Sequence, residues 1–387
     1  MALAMPYRGA LFDPLSLFVA GAQGGWYDPS DMSTLFQDRA GTTPVTALGQ
    51  PVGLILDKSR GLALGPELRA NGVIALVGTA TAATYNTATG AGTATRVDLN
   101  NQSSVAFTGL STSTTYRITI QNTSAIHVWV RQGSAGGISV GVINPNATQT
   151  VLCNTGSQTQ LHLAASANGS SITFVVQSIS ALPGNHLTQT TAASRPLWQQ
   201  DAAGAFHLAF DGVDDFLTIG TFDMSASDKV TVCAGVRKLS DAARGIVAEL
   251  SATSATNAGS FALTAPESTA ASGNFGFVSG GSLAGSAVAQ SATILSPVSR
   301  VVTATADIVG DTALVRLNGA QSGATATADQ GTGNYGASYP LFVGRRDGTT
   351  LPFNGLLHGL VIRGGSITAP ELAQLERYMA QKTGIAL

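Results

Sequence analysis

The sequence predicts an all-β protein of two β-sandwich (jelly-roll) domains, one inserted in the other, with one C-terminal helix. Three observations carry this expectation. Period-two alternation bounded by Gly, Asn, Asp and Ser recurs from about residue 73 to residue 363, the pattern of strands and tight turns. A single long segment, the last, has complete helix grammar. At 387 residues the chain is also too long for one ordinary core, so two or three domains are expected.

The clearest alternating runs are 116–121, 126–131, 138–142, 160–164 and 172–179, then 206–210, 229–236, 301–309 and 314–317. Their spacing suits sandwiches rather than βαβ units. At the C-terminus, Thr368 and Glu371 form a capping box with Pro370 in the first turn; Leu372, Leu375 and Met379 share a face, and Gly384 closes the helix. Residues 9–21 are apolar but contain Pro14, so a docking arm and a short helix both remain open. Residues 78–95 and 251–287 are rich in Ala, Thr, Gly and Ser with weak alternation, and read as long loops or thin edge strands.

Composition narrows the function. Hydrophobic residues are 44% of the chain but charged residues only 11%, against roughly a quarter in ordinary soluble proteins. A sparsely charged, hydroxyl-rich surface suits packing against other chains, and disorder is disfavoured. A net charge of −2 with no run of Lys or Arg gives no footing for nucleic acid. No apolar stretch has membrane-spanning length, so no membrane insertion is expected, and Met1–Arg8 makes a poor secretory signal. Cys153 and Cys233 sit on apolar strands of different domains and read as core fillers.

Gly25-Trp-Tyr-Asp-Pro-Ser-Asp31, Leu35-Phe-Gln-Asp38, Gly49-Gln-Pro-Val-Gly53 and Asp57-Lys-Ser59 resemble a family of phage and prophage virion-associated proteins. In that family the Asp-Lys-Ser motif is soon followed by Gly-Asn-His, Arg-Pro and Phe-Asp-Gly-Val-Asp-Asp. Here Gly184-Asn-His186, Arg195-Pro196 and Phe210–Asp215 arrive more than a hundred residues late. The resemblance therefore implies an inserted domain at 60–183, similar to a carbohydrate-binding-module jelly roll. It leaves 1–24 as an N-terminal arm, and 25–59 with 184–387 as a discontinuous sandwich similar to laminin-G and concanavalin-A domains. What it implies is a bacteriophage structural protein, assembled in the host cytoplasm and carried on the virion. A tail fibre or host-contacting appendage with glycan-binding capacity comes first; a capsid decoration or cement protein, and a polysaccharide-degrading enzyme, are the alternatives. Expected partners are other virion proteins, further copies of the chain (a trimer by analogy with phage architecture) and a bacterial surface glycan.

The residues argue against catalysis. Glycosidases on such sandwiches need two carboxylates flanking the bond, roughly 5–10 Å apart. The five glutamates, at 67, 249, 267, 371 and 376, form no E-x-D-x-x-E-like array. No G-x-S-x-G elbow lies between a strand and a helix, and the histidines lack metal-ligand spacing. No cofactor and no required metal are expected. Asp211, Asp214 and Asp215 form the densest acidic group and offer oxygens to Ca²⁺, but a turn around Gly212 is the favoured reading.

The binding signal lies in the inserted segment. Residues 116–121 and 126–131 read as a hairpin with Tyr116, Ile118, Ile120, Ile126, Val128 and Val130 on one side. Arg117, Gln121, His127, Trp129 and Arg131 would then share the other side. An aromatic ring beside Arg, Gln and His suits sugar binding, by stacking and by hydrogen bonds to hydroxyls. The same face suits a subunit interface, where Trp and Arg are enriched.

Overall fold

The computed structural model describes residues 12–79, 82–268 and 273–387. Its strands form three antiparallel sheets, of eight, nine and ten strands, with one α-helix, Ala369–Thr383. The alternating runs that the sequence shows fall in the eight- and ten-stranded sheets; the nine-stranded sheet is built from short strands and from strands buried on both faces, such as Ile246–Leu250 and Ser260–Thr264.

Two of the sheets make the larger sandwich. In the eight-stranded sheet the long strands Asn354–Gly364, Lys229–Lys238 and Val298–Asp307 lie side by side. Gly24–Tyr27 pairs with the far end of Asn354–Gly364, so an early segment is part of the sheet. In the nine-stranded sheet Leu35–Phe36 and Leu54–Ile55 lead through Leu187–Thr188 to Leu217–Ile219, Leu341–Val343 and Ile246–Leu250. One buried cluster joins them: Tyr27, Leu35, Val52 and Ile55 pack with Leu187, Trp198, Leu217, Phe261 and Leu360. Trp198 stacks on Phe206 at 5.0 Å and its indole Nε1 donates to the Pro29 carbonyl at 2.8 Å.

The helix caps the outer side of the eight-stranded sheet. Thr368 accepts from the Glu371 amide, and the Glu371 carboxylate accepts from the Thr368 amide at 2.8 Å. Gly384 ends the helix with φ +67°. Leu375 and Met379 bury against Val301 and Val361, whereas Leu372 is only half-buried. Asn318 and Gly319 both have positive φ and turn the chain from Thr312–Leu317 into Ala320–Gln321, as an Asn-Gly hairpin requires.

Of the expected N-terminal arm, residues 1–11 lie outside the described residues, and the part that follows takes the short-helix form. Pro14–Gly21 is a 3₁₀ helix capped by Asp13, and its Leu17 and Phe18 are buried against the terminal helix with Trp26. Arg363 Nε donates to the Leu17 carbonyl at 3.0 Å. Apolar side chains at 17 and 18 gain more by covering the chain's own core than by waiting for a partner. The low-complexity stretches also hold real strands, including Ala83–Tyr85, Ala91–Arg96, Ser260–Thr264 and Gly276–Gly280.

Residues 72–182 form the ten-stranded sheet, which folds over into two layers joined by one pair, Arg96 with Gln102. The front layer runs Ser139–Ile143, Val128–Gln132, Leu161–Ala165, Gln102–Phe107 and Gly72–Val77. The back layer runs Thr148–Asn154, Thr115–Asn122, Ser170–Leu182, Ala91–Arg96 and Ala83–Tyr85. Between them lie Phe107, Ile118, Ile120, Val128, Val130, Leu163 and Phe174.

The splice points meet at Asp57. Its fully buried carboxylate accepts from the amides of Trp26 at 2.8 Å, Ser59 at 2.8 Å and Asn185 at 2.7 Å. The Asp57 amide donates to His186 Nδ1 at 3.0 Å, which leaves Nε2 to donate to the Leu182 carbonyl at 3.2 Å. Burial holds that imidazole below its ordinary pKa and therefore neutral. The Asp-Lys-Ser and Gly-Asn-His segments thus clasp each other where the inserted chain leaves and returns. Leu152 and Leu182 of the insert add an apolar contact with Leu54 and Leu56.

Candidate functional site

Thr115–Asn122 and Val128–Gln132 are strands, with residues 126 and 127 outside the second, and the two do not form a hairpin. Thr115–Asn122 pairs with Thr148–Asn154 and Ser170–Leu182 in the back layer; Val128–Gln132 pairs with Ser139–Ile143 and Leu161–Ala165 in the front. No residue from 123 to 127 has the positive φ that a tight hairpin needs. Instead the buried Asn122 side chain accepts from the Ser124 amide at 2.9 Å and donates to the Ile126 and Asn144 carbonyls at 2.8 and 2.9 Å. That directs the chain across the core into the opposite layer.

The expected five-residue face is consequently divided. Arg117 and Gln121 belong to the back layer and Trp129 and Arg131 to the front, while His127 precedes the front strand and is exposed. Arg117 faces the larger sandwich, where it lines a crevice of about 530 Å³ with Phe36, Leu56 and Leu62. Gln121 is exposed beside Thr148.

The front surface gathers a different set. Trp129 lies between Val142 and Ala164 on the adjacent strands, both small enough to leave the indole half-buried. Arg131, two residues on, lies between Ser139 and His162, and its guanidinium sits 4.1 Å from the indole centroid. Arg96 reaches the same ring from the join between the layers, at 5.7 Å. One backbone carbonyl serves each arginine: Gly137 at 2.7 Å for Arg131 and Ser166 at 3.5 Å for Arg96. The indole is therefore engaged by guanidinium rather than left as a bare sugar platform.

Polar neighbours complete the patch. His162 is buried, with Ser104 Oγ 2.9 Å from Nδ1 and Gln160 Oε1 3.0 Å from Nε2, and burial lowers its pKa. The Nε atoms of Arg96 and Arg131 and Oε1 of Gln102 are buried without a hydrogen-bond partner. Among the described residues neither arginine has a carboxylate within ion-pair distance. Asp98 feels Arg96, but its carboxylate is held below the usual range first by the Asn101 side chain and the Asn100 amide.

The acidic residues have structural partners. Asp211 accepts from the Val213 amide at 2.7 Å, Asp215 accepts from the Asp211 amide at 3.0 Å, and Asp214 accepts from Ser194 Oγ at 2.8 Å. Their oxygens lie within 4.8 Å of one another, and burial pushes Asp215 up to about 6. Glu249 makes a forked pair with Arg346, Nη2 at 2.8 Å and Nε at 2.9 Å. Glu267 pairs with Arg244 at 3.0 Å, Glu376 with Arg316 at 2.7 Å, Glu371 caps the helix, and Glu67 accepts from the Arg69 and Ile179 amides at 2.8 and 2.9 Å. Cys153 and Cys233 are separate, buried thiols.

Arg96 is the residue that sequence reasoning missed, because its Ala/Thr/Gly surroundings hide the strand. One signal was present: residues 60–183 hold five arginines against one glutamate and one aspartate, a net of +3 in a chain of net −2.

No family model matches the chain, and no curated protein matches it. Similar solved structures include domain 4 of AbnA, a GH43 extracellular arabinanase from Geobacillus stearothermophilus, in complex with arabinotriose, at 15% identity and TM-score 0.36 over 47% of this chain and 81% of that one. The CBM40 of Ruminococcus gnavus IT-sialidase bound to α2,3 sialyllactose is 18% identical, with TM-score 0.30 over 40% of this chain and 91% of that one. The native heptameric SAP-like pentraxin of Limulus polyphemus is 14% identical, with TM-score 0.36 over 46% and 83%. Likeness at this level carries no argument about ligand or assembly.

Proposed function

We propose that the chain is a non-catalytic structural protein of a bacteriophage particle, a tail fibre or other host-contacting appendage, whose inserted jelly roll binds surface glycans. The particle assignment rests on the resemblance of residues 25–59 and 184–387 to virion-associated proteins. The glycan assignment rests on one observation, the grouping of Trp129 with Arg131 and Arg96 on the outer front layer. Donors around an aromatic ring, on a rigid sheet rather than a loop, are what a hydroxyl-bearing ligand needs. Structural partners for all five glutamates support a binding role over hydrolysis. A glycan array probed with the whole protein and with Trp129→Ala tests it. Loss of signal in the variant is expected; unchanged binding would remove this face from the proposal.

A second reading, a decoration or cement protein packed against neighbouring subunits, has its own observation. Gly72–Val77 is an edge strand with Val73, Ile74, Leu76 and Val77 exposed at 48, 48, 53 and 37%, and no charged residue lies between Arg69 and Arg96. Uncharged apolar edges invite pairing with another chain. Light scattering of the whole protein and of Ile74→Lys separates the readings. A homo-oligomer that dissociates in the variant favours subunit packing at this edge.

A further inference from the structure

The charge of the front surface says what kind of glycan it takes. Arg96 and Arg131 are 7% and 8% exposed, close to the same indole, and without a carboxylate partner among the described residues. Two guanidiniums of like charge, mostly removed from water, are unfavourable unless an anion joins them. Each has a single backbone carbonyl for its several N–H groups, and each Nε is buried without an acceptor. Residues 60–183 are +3 overall, and the carboxylates of Glu67 and Asp98 bond backbone amides and the Asn101 side chain rather than either arginine. Elsewhere buried charges pair, as Glu249 does with Arg346, Lys238 with Asp241 and Glu376 with Arg316. Arg237 and Arg345 also have a buried Nε without an acceptor and no ion pair, but both are only partly buried; among the described residues Arg96 and Arg131 are the two arginines that are buried and unpaired.

A purely structural role for the two arginines, bracing Trp129 by cation–π contact, would need only one of them. It also leaves their N–H groups unexplained. Guanidinium presents a planar fork that fits a carboxylate or sulfate through two parallel hydrogen bonds, and stacking on an indole holds that plane in place.

We infer that Arg96 and Arg131, braced by Trp129, form an anion subsite, and that the glycans bound there carry carboxylate or sulfate groups, as uronic, sialic or sulfated sugars do. This rests on the glycan reading above for its sugar part; the anion part stands alone.

The test uses the whole protein and two measurements. The first is binding to matched glycan pairs: tri-galacturonate and its carboxyl-reduced form, sialyllactose and lactose, sulfated and plain lactose. Acidic members should bind about tenfold tighter than their neutral partners, with the preference falling as NaCl rises. Arg131→Gln and Arg96→Gln should each abolish the preference, and Arg131→Lys should restore part of it. The second measurement is the melting temperature in sodium sulfate. Sulfate should raise it more in the wild type than in Arg96→Gln/Arg131→Gln, whose own circular dichroism must match the wild type. Equal binding of acidic and neutral partners with no differential sulfate effect would overturn the anion subsite and leave the glycan reading standing. A differential sulfate effect with no glycan bound would sink the glycan reading and keep the subsite. Equal affinity for a single-stranded DNA oligonucleotide would reduce the effect to general polyanion attraction and overturn the assignment to sugars.

Discussion

The two sandwiches treat charge in opposite ways. In the larger one, many buried ionic side chains are paired within the fold: Asp28 holds Lys382 at 2.9 Å and Lys58 at 3.4 Å, and the buried Lys238 is held by Asp241 together with the Gly273 and Ile294 carbonyls. The inserted jelly roll has no ion pair among its described residues. Its polar groups are satisfied by neutral partners, such as Thr119 with Thr150 at 2.9 Å, Thr123 with Thr173 at 2.7 Å, and the Asn122 carboxamide. Its charges therefore contribute little to its own stability. Where a fold leaves buried cations unmatched, a ligand is the place to look for the missing charge.

That contrast breaks most readily at Glu249. Glu249→Ala leaves Arg346 uncompensated and should cost about 3–5 kcal/mol in urea denaturation. Replacing both residues with apolar ones of similar volume should recover most of it.

Acid comes next. His358 is buried beside His207, ring centroids 5.1 Å apart. Burial, then the His207 charge, lowers its pKa to about 4. A depressed histidine stabilises the fold above its unfolded pKa, near 6.5, and loses that contribution as pH falls toward 4. Stability should drop by about 2–3 kcal/mol from this residue between pH 7 and pH 4. Asp215, raised to about 6, runs the other way: its contribution grows as pH falls below 6. His358→Leu should flatten the acid limb of melting temperature against pH; an unchanged slope would mean that other groups carry it.

Asn122→Ala should cost the inserted domain about 2 kcal/mol, because it leaves the Ile126 and Asn144 carbonyls without their donor. Amide exchange would localise the loss to residues 115–154. The smallest effect sharpens the contrast most: Arg96→Gln with Arg131→Gln should change stability by less than about 1 kcal/mol, or raise it. A loss as large as that of Glu249→Ala would show that these arginines are part of the fold.

Local rules made much of this protein legible in its sequence. Strands at 116–121, 160–164, 172–179 and 229–236, the capped helix from Thr368 and the Asn318-Gly319 turn all follow from interactions spanning a few residues. Alternation correctly divided inward Ile118 and Val130 from outward Arg117 and Trp129. What it did not carry is the sheet that each strand joins. Outward-facing Arg117 and Trp129 belong to different layers because Asn122 sends the chain across the core, and Arg96 meets Trp129 only through a join 33 positions earlier in the chain. Glu249 likewise finds Arg346 across 97 positions. Side-chain direction is settled by backbone sterics within one strand, whereas juxtaposition depends on strand pairing and core packing between segments that only the closed fold brings together.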